Sequence, residues 1–196
     1  MRFLALGDSF TIGTGTTPDR SFPAVLVNRW WDRGLECDLR NPAVNGFTTD
    51  DLIREELALV ESYRPDLVTL LIGANDIVAG SREDRYRAQL RRIHDRIRVD
   101  APREARRFAL PQPDWSLTTA GASFGDVDRI ARTIARFNEI AREEAERAGA
   151  SYVDISPLMQ QQMRSGMTAP DGLHPSAEAY AAWADALADV LAPPSA

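Results

Sequence analysis

Asp66-Leu67-Val68-Thr69-Leu70-Leu71-Ile72-Gly73 reads as a strand buried on both faces: apolar and β-branched residues run on without polar alternation, and Gly73 closes the run. Phe3-Leu4-Ala5-Leu6-Gly7 has the same form near the N-terminus. Weaker strands are predicted over 35–39, 107–110 and 150–155, which makes about five. Helical spacing fills the gaps. One helix is predicted over 22–31, and a second opens at Thr49-Asp50-Asp51, with Leu52, Ile53, Leu57 and Val60 on its apolar side. Val127, Ile130, Ile134, Phe137 and Ala141 make a third stripe, with Gly149 as its stop signal. Ala177, Tyr180, Ala184, Leu187 and Leu191 make the last. Continuous apolar strands alternating with amphipathic helices require a mostly parallel sheet covered on both faces. The expectation is therefore an α/β fold of three α/β/α layers, one domain over 1–192 with a short tail at 193–196.

Composition narrows the chemistry. The 196 residues carry a net charge of -6, 44% are hydrophobic, and no apolar run approaches the roughly 20 residues a membrane span needs. The N-terminus opens straight into Phe3 without a leader pattern, so a cytoplasmic location is expected. Cys37 is the single cysteine, which excludes an internal disulfide and Cys-based zinc sites. All 23 basic residues are arginine, so a phosphate-loop lysine, a Schiff base and a lysine general base are excluded as well. The acidic balance argues against a nucleic-acid partner. The span 82–107 holds ten arginines against five acids; it reads as the solvated face of an amphipathic helix, or as a patch that steers anionic substrates.

Only two histidines are present. His94 sits at the edge of a helical apolar stripe made by Tyr86, Leu90, Ile93 and Ile97, which is a packing role. His174 lies in Asp171-Gly172-Leu173-His174-Pro175, where Gly172 permits a tight turn and Pro175 favours an extended His174. Asp171 can bend back to hold one ring nitrogen and leave the other facing a reactant. A capping Asp beside a surface His is the plainer alternative. Ser9, in Gly7-Asp8-Ser9-Phe10, follows the first strand and would project into the crevice beyond its carboxyl end, unless the segment is merely a turn. Asn75, in Gly73-Ala74-Asn75-Asp76, follows the third strand and could donate to an oxyanion. In Asn45-Gly46-Phe47-Thr48-Thr49, Gly46 lets a backbone N–H approach a ligand closely.

Taken in chain order, Ser9, Gly46, Asn75 and the Asp171/His174 pair resemble the signature blocks of the SGNH, or GDSL-type, hydrolase family, and the resemblance runs over nearly the whole chain. It implies a flavodoxin-like sheet of five parallel strands in the order 2-1-3-4-5. It implies Ser9 as nucleophile, His174 as base and Asp171 as the acid that orients it. The oxyanion hole would be formed by the Ser9 and Gly46 amides with the Asn75 side chain. Phe10 stands where the family often has Leu, which bears on pocket shape; Phe10, Phe47 and Trp115 are candidates for substrate binding. The expected partner is a small-molecule ester of a small or medium acyl group, with no metal and no other cofactor. The sequence assigns no oligomeric state.

Two other readings use the same residues. One is a flavodoxin-like nucleotide-binding module, for which Gly13-Thr14-Gly15-Thr16-Thr17-Pro18 offers a fingerprint with Pro in place of its third Gly. The other is a scaffold with a vestigial site. The irregular stretch 111–125, with Pro111, Pro113, Trp115 and Gly121, reads as a binding loop or as an excursion with Trp115 packed back onto the domain.

Overall fold

In the computed structural model, which describes residues 1–192, five parallel strands form one sheet in the order β2-β1-β3-β4-β5. The strands are β1 (Arg2–Gly7), β2 (Asp38–Arg40), β3 (Leu67–Leu71), β4 (Arg106–Ala109) and β5 (Ser151–Tyr152). The tail expected at 193–196 lies outside the described residues.

The double-sided burial expected of the central strands is literal. Successive strand residues point to opposite faces. Phe3 and Ala5 join one core with α2 (Phe22–Trp31) and α9 (Ala177–Leu187), where Leu26, Trp30, Trp183 and Leu187 are buried. Leu4 and Leu6 join the other with α3 (Thr49–Glu55), α4 (Ala58–Tyr63) and α6 (Glu83–Asp100) through Leu52, Val60, Tyr86, Leu90 and Ile93. Fully burying each such side chain is worth about 1.5–3 kcal/mol. These two indoles are satisfied as well as buried: Trp30 Nε1 donates to the Ala188 carbonyl at 2.8 Å, and Trp183 Nε1 to Oε1 of Gln162, on α8 (Ser156–Arg164), at 2.7 Å.

Departures from the sequence reading occur at the edges. The strand predicted over 35–39 is β2, three residues long, because β1 pairs with it only from Arg2↔Asp38 to Leu4↔Arg40. Pro42 then follows, without an N–H to extend the ladder. The last strand is two residues, facing Phe108 and Ala109. The helix predicted over 49–60 is two helices, broken where Leu57 N–H reaches back to the Leu52 carbonyl and Glu56 turns inward. α7 (Val127–Arg147) runs well past Ala141 and stops before Gly149, as expected. His94 is buried outright at 4% exposure, and desolvation pushes its pKa down to about 4, so it is neutral near pH 7.

Much of the Arg-rich span is tied to carboxylates. Arg87 and Arg91 of α6 meet the buried Glu144 of α7, Arg96 meets Asp100, and Arg85 meets Asp50. These pairs neutralise much of the positive field that substrate steering would need. Among the described residues no helix is long and apolar enough to cross a membrane.

Candidate active site

β1 and β3 deliver their motifs side by side, with Gly7 opposite Leu71. Gly7 is required by closeness: a Cβ there would lie 2.3 Å from the Leu71 carbonyl oxygen and 2.2 Å from Thr11 Oγ1. The chain then turns into α1 (Ser9–Ile12), capped by Asp8, whose Oδ1 accepts from Phe10 N–H at 3.1 Å. Ser9 is the first residue of that helix and 4% exposed. After β3, Gly73 adopts φ 134°, where a Cβ would strike the Tyr86 ring, and α5 (Ala74–Val78) begins. Asn75 Nδ2 donates to the Phe47 carbonyl at 2.9 Å, while Asp76 accepts from Thr49 Oγ1 at 2.6 Å and Thr49 N–H at 2.9 Å. These bonds clamp the turn at 44–48 to the exit of β3.

The third contributor is the 171–174 turn. Asp171 Oδ1 accepts from the backbone amides of Leu173 and His174 at 2.9 and 3.0 Å, and Oδ2 faces His174 Nδ1 at 2.7 Å. Partial burial works to raise the Asp171 carboxyl; the His174 ring and the two amides outweigh it and leave it below the ordinary aspartate range. Gly172 takes a left-handed φ of 68°, and its carbonyl accepts from Ala120 N–H. His174 is further held by its carbonyl accepting from Ala169 N–H at 2.7 Å and by the Phe10 ring, 5.4 Å away centre to centre. The 13–18 stretch packs against this turn. Gly13 ends α1, a Cβ on Gly15 would press on Ala169 and His174, and Pro18 opens a separate 3₁₀ turn.

Ser9, Asn75 and His174 line one cavity of about 210 Å³, with Phe10, Trp115 and Phe124 among its apolar walls. In the stretch 111–125, Trp115 is packed back onto the domain, as the second of its readings has it, and also lines this cavity. It is buried and packed edge-on against Phe124 at 5.3 Å. Phe47 is not among the residues that line the cavity; the chain turns at Gly46 (φ 89°), with Phe47 N–H donating to the Val44 carbonyl. Asn45 lines the cavity, whereas Gly46, its neighbour in the chain, is not among the lining residues. Asn45, Val78, Phe124 and Leu173 went unread in the sequence because each sits in a loop or short helix without periodicity.

A buried carboxyl cluster lies behind the Gly7–Ser9 turn. Glu56 Oε2 accepts from Gly7 N–H at 3.0 Å; Glu56 Oε1 and Asp8 Oδ2 are both buried without a partner. Burial pushes Glu56 up to about 8 against the opposing pull of the Gly7 amide, and pushes Asp8 up to about 7. Asp76 is raised by burial too. Glu56 left one trace in the sequence, an acid four residues after Leu52 on an apolar stripe. A carboxyl kept neutral by the fold stabilises it fully below its ordinary pKa of 4.5, and that contribution is lost as pH climbs through about 8. Wild-type stability should therefore fall across this range, with roughly 2–4 kcal/mol belonging to Glu56. Glu56→Gln, neutral at every pH, should flatten the decline in part and leave the share of Asp8 and Asp76. Thermal midpoints of both proteins between about pH 5 and 9 check this, and parallel curves would refute it.

A model of the GDSL-like lipase/acylhydrolase family matches residues 5–182. An arylesterase of Vibrio mimicus is 30% identical over 79 residues, which are 40% of this chain and 40% of that protein. A GDSL-like esterase of Mycobacterium tuberculosis is 30% identical over 202 residues, covering 95% of this chain and 60% of the relative. The chain thus spans less than two thirds of the length of either. Among solved structures, a variant of an acetyl xylan esterase from Geobacillus stearothermophilus superposes with a TM-score of 0.78 at 19% identity, covering 100% of this chain and 97% of that one.

Proposed function

We propose, from the premise that this chain belongs to the GDSL-like lipase/acylhydrolase family, that it hydrolyses carboxylic esters of small to medium acyl groups through a covalent acyl-enzyme. The observation that carries the reading is the meeting of Ser9 and His174 on one cavity, with Asp171 on the far ring nitrogen at 2.7 Å.

Serine is a weak nucleophile until a base removes its proton as it attacks. In this reading Ser9 Oγ adds to the ester carbonyl while His174 Nε2 takes the hydroxyl proton. Asp171 holds the ring with Nδ1–H towards itself and stabilises the imidazolium. The carbonyl oxygen becomes an anion, which in this reading the Ser9 amide and the Asn75 side-chain amide stabilise, with the Gly46 amide as the third donor that the family resemblance implies. Asn75 Nδ2 keeps one hydrogen on Phe47, which aims the group and leaves the other for substrate. Collapse expels the alcohol, protonated by His174; water, activated by the same ring, then releases the acid. The donors work by being in place before charge develops.

A fluorophosphonate probe tests the proposal directly, since only an activated serine reacts at a useful rate. Stoichiometric labelling is expected, with the adduct on the peptide that contains Ser9 and none in His174→Ala. An adduct elsewhere, or no adduct on folded protein, would overturn the assignment. A nitrophenyl ester series run alongside should show the rate falling for acyl chains that outgrow the 210 Å³ cavity.

A further inference from the structure

A second cavity, of about 310 Å³, adjoins the first: Val78, Trp115 and Phe124 border both. The rest of its wall comes from Ile77 of α5, from Gly80 and Ser81 after it, and from Arg129, Ile130 and Thr133, in the first two turns of α7. No carboxylate lines it. Its polar groups are mostly donors without acceptors. Ser81 Oγ and Trp115 Nε1 are buried and have no hydrogen-bond partner. Further along the same helix, Arg136 and Arg142 are paired with Glu83, Glu139 and Asp154, whereas Arg129, like Arg132, has no ion pair among the described residues; of these two only Arg129 lines the cavity. Asp126 is hydrogen-bonded to Arg129, and it caps the backbone N–H rather than the guanidinium. Thr133 Oγ1 already donates to the Arg129 carbonyl, which leaves only its lone pairs free.

The Arg129 guanidinium, without an ion pair among the described residues, borders a concave site whose wall holds no acid, and Ser81 and Trp115 on the same wall carry polar hydrogens that the fold leaves without acceptors; a positive wall of this kind suits an oxygen-rich anion. A neutral carbonyl could satisfy the N–H groups but not the charge. Between this cavity and Ser9 stand the half-exposed side chains of Val78 and Phe124, at 54% and 41% exposure, which suit a short alkyl or aryl spacer. We infer that the second cavity is an anion subsite of the same active site, and that the substrate is an ester carrying a carboxylate or phosphate beyond such a spacer. This inference rests on the ester-hydrolase reading above. It places the positive charge that matters for the substrate in Arg129, not in the arginines of α6, many of which are already paired.

The test compares two ester pairs on wild type, Arg129→Gln and Ser81→Ala. 4-Nitrophenyl hemiglutarate against 4-nitrophenyl pentanoate places the anion on the acyl side. 4-Carboxyphenyl acetate against 4-nitrophenyl acetate places it on the alcohol side. In one pair the ratio of kcat/KM for the anionic to the neutral ester should fall about 10-fold to 100-fold in Arg129→Gln, carried by KM, as loss of a charge-assisted contact predicts. Ser81→Ala should lower the same ratio less. Unchanged ratios in both pairs would overturn the inference. Calorimetric binding of glutarate and of inorganic phosphate, with and without Arg129→Gln, needs no turnover and separates the two readings. Arg129-dependent binding without ester turnover would keep the subsite and sink the hydrolase. Turnover with no such binding and unchanged ratios would do the reverse. The tighter of the two probes identifies the anion.

Discussion

Ser9→Ala is expected to lower kcat/KM for 4-nitrophenyl acetate by about 10⁶-fold, the loss seen when a triad nucleophile is removed, while the folded state barely changes. The substitution deletes one oxygen. The α1 cap survives because Asp8, not Ser9, accepts from the Phe10 amide, and the Gly7 contact with Glu56 is untouched. Stability should therefore stay within about 1 kcal/mol of wild type, which separates lost chemistry from lost structure. A residual rate of roughly 10³ over water can persist, because the amide donors and the binding walls remain. Circular dichroism and a melting curve establish the fold, and a spectrophotometric assay reads the rate. Turnover within 10-fold of wild type would remove Ser9 from the reaction.

Asp171→Asn should cost about 10⁴-fold, through a different cause. Oδ1 is held by the Leu173 and His174 amides, and an asparagine keeps those two bonds by presenting its carbonyl oxygen to them. Its NH₂ then takes the position of Oδ2, 2.7 Å from His174 Nδ1, and a donor there favours the tautomer whose Nδ1 lacks a proton. His174 Nε2 would then carry the hydrogen and could not accept one from Ser9. The Asp171 side chain is 40% exposed, so water weakens the purely electrostatic part of the loss, but not the tautomer switch. Labelling by the fluorophosphonate probe should slow in parallel with ester turnover. Normal labelling with slow turnover would confine Asp171 to deacylation, and normal rates for both would refute its role.

The two strongest strands were legible because the interior of a parallel sheet is covered on both faces, and their sequences must be apolar throughout. β2 and β5 were legible only in outline. At an edge, the length of a strand is set by how far its neighbour extends, as the three pairs with β1 and the two with β4 show. The candidate chemistry was readable where a residue type is rare or punctuated by glycine: one histidine after a turn, a serine and an asparagine each following a strand. Phe47 lies off the cavity wall, and a flanking aromatic carries no sign in the sequence of which way its turn points. Glu56 and Arg129 were missed because acids and arginines are common, and only their partners, or lack of them, mark them out.

Sequence alone determined the layered α/β architecture and the strand ends that bear Ser9 and Asn75, and it offered the pairing of Asp171 with His174 as one of two readings, since these follow from periodicity or from residues three apart. Tertiary structure decided what meets across the sheet: that residues 9, 75 and 174 share one cavity, that an acid 49 residues along the chain supports Gly7, and that a second cavity with unanswered donors adjoins the first. Local patterns report how a side chain relates to its own helix or strand. Contacts between segments far apart in the chain depend on sheet order and on the path of each loop, which no local pattern encodes.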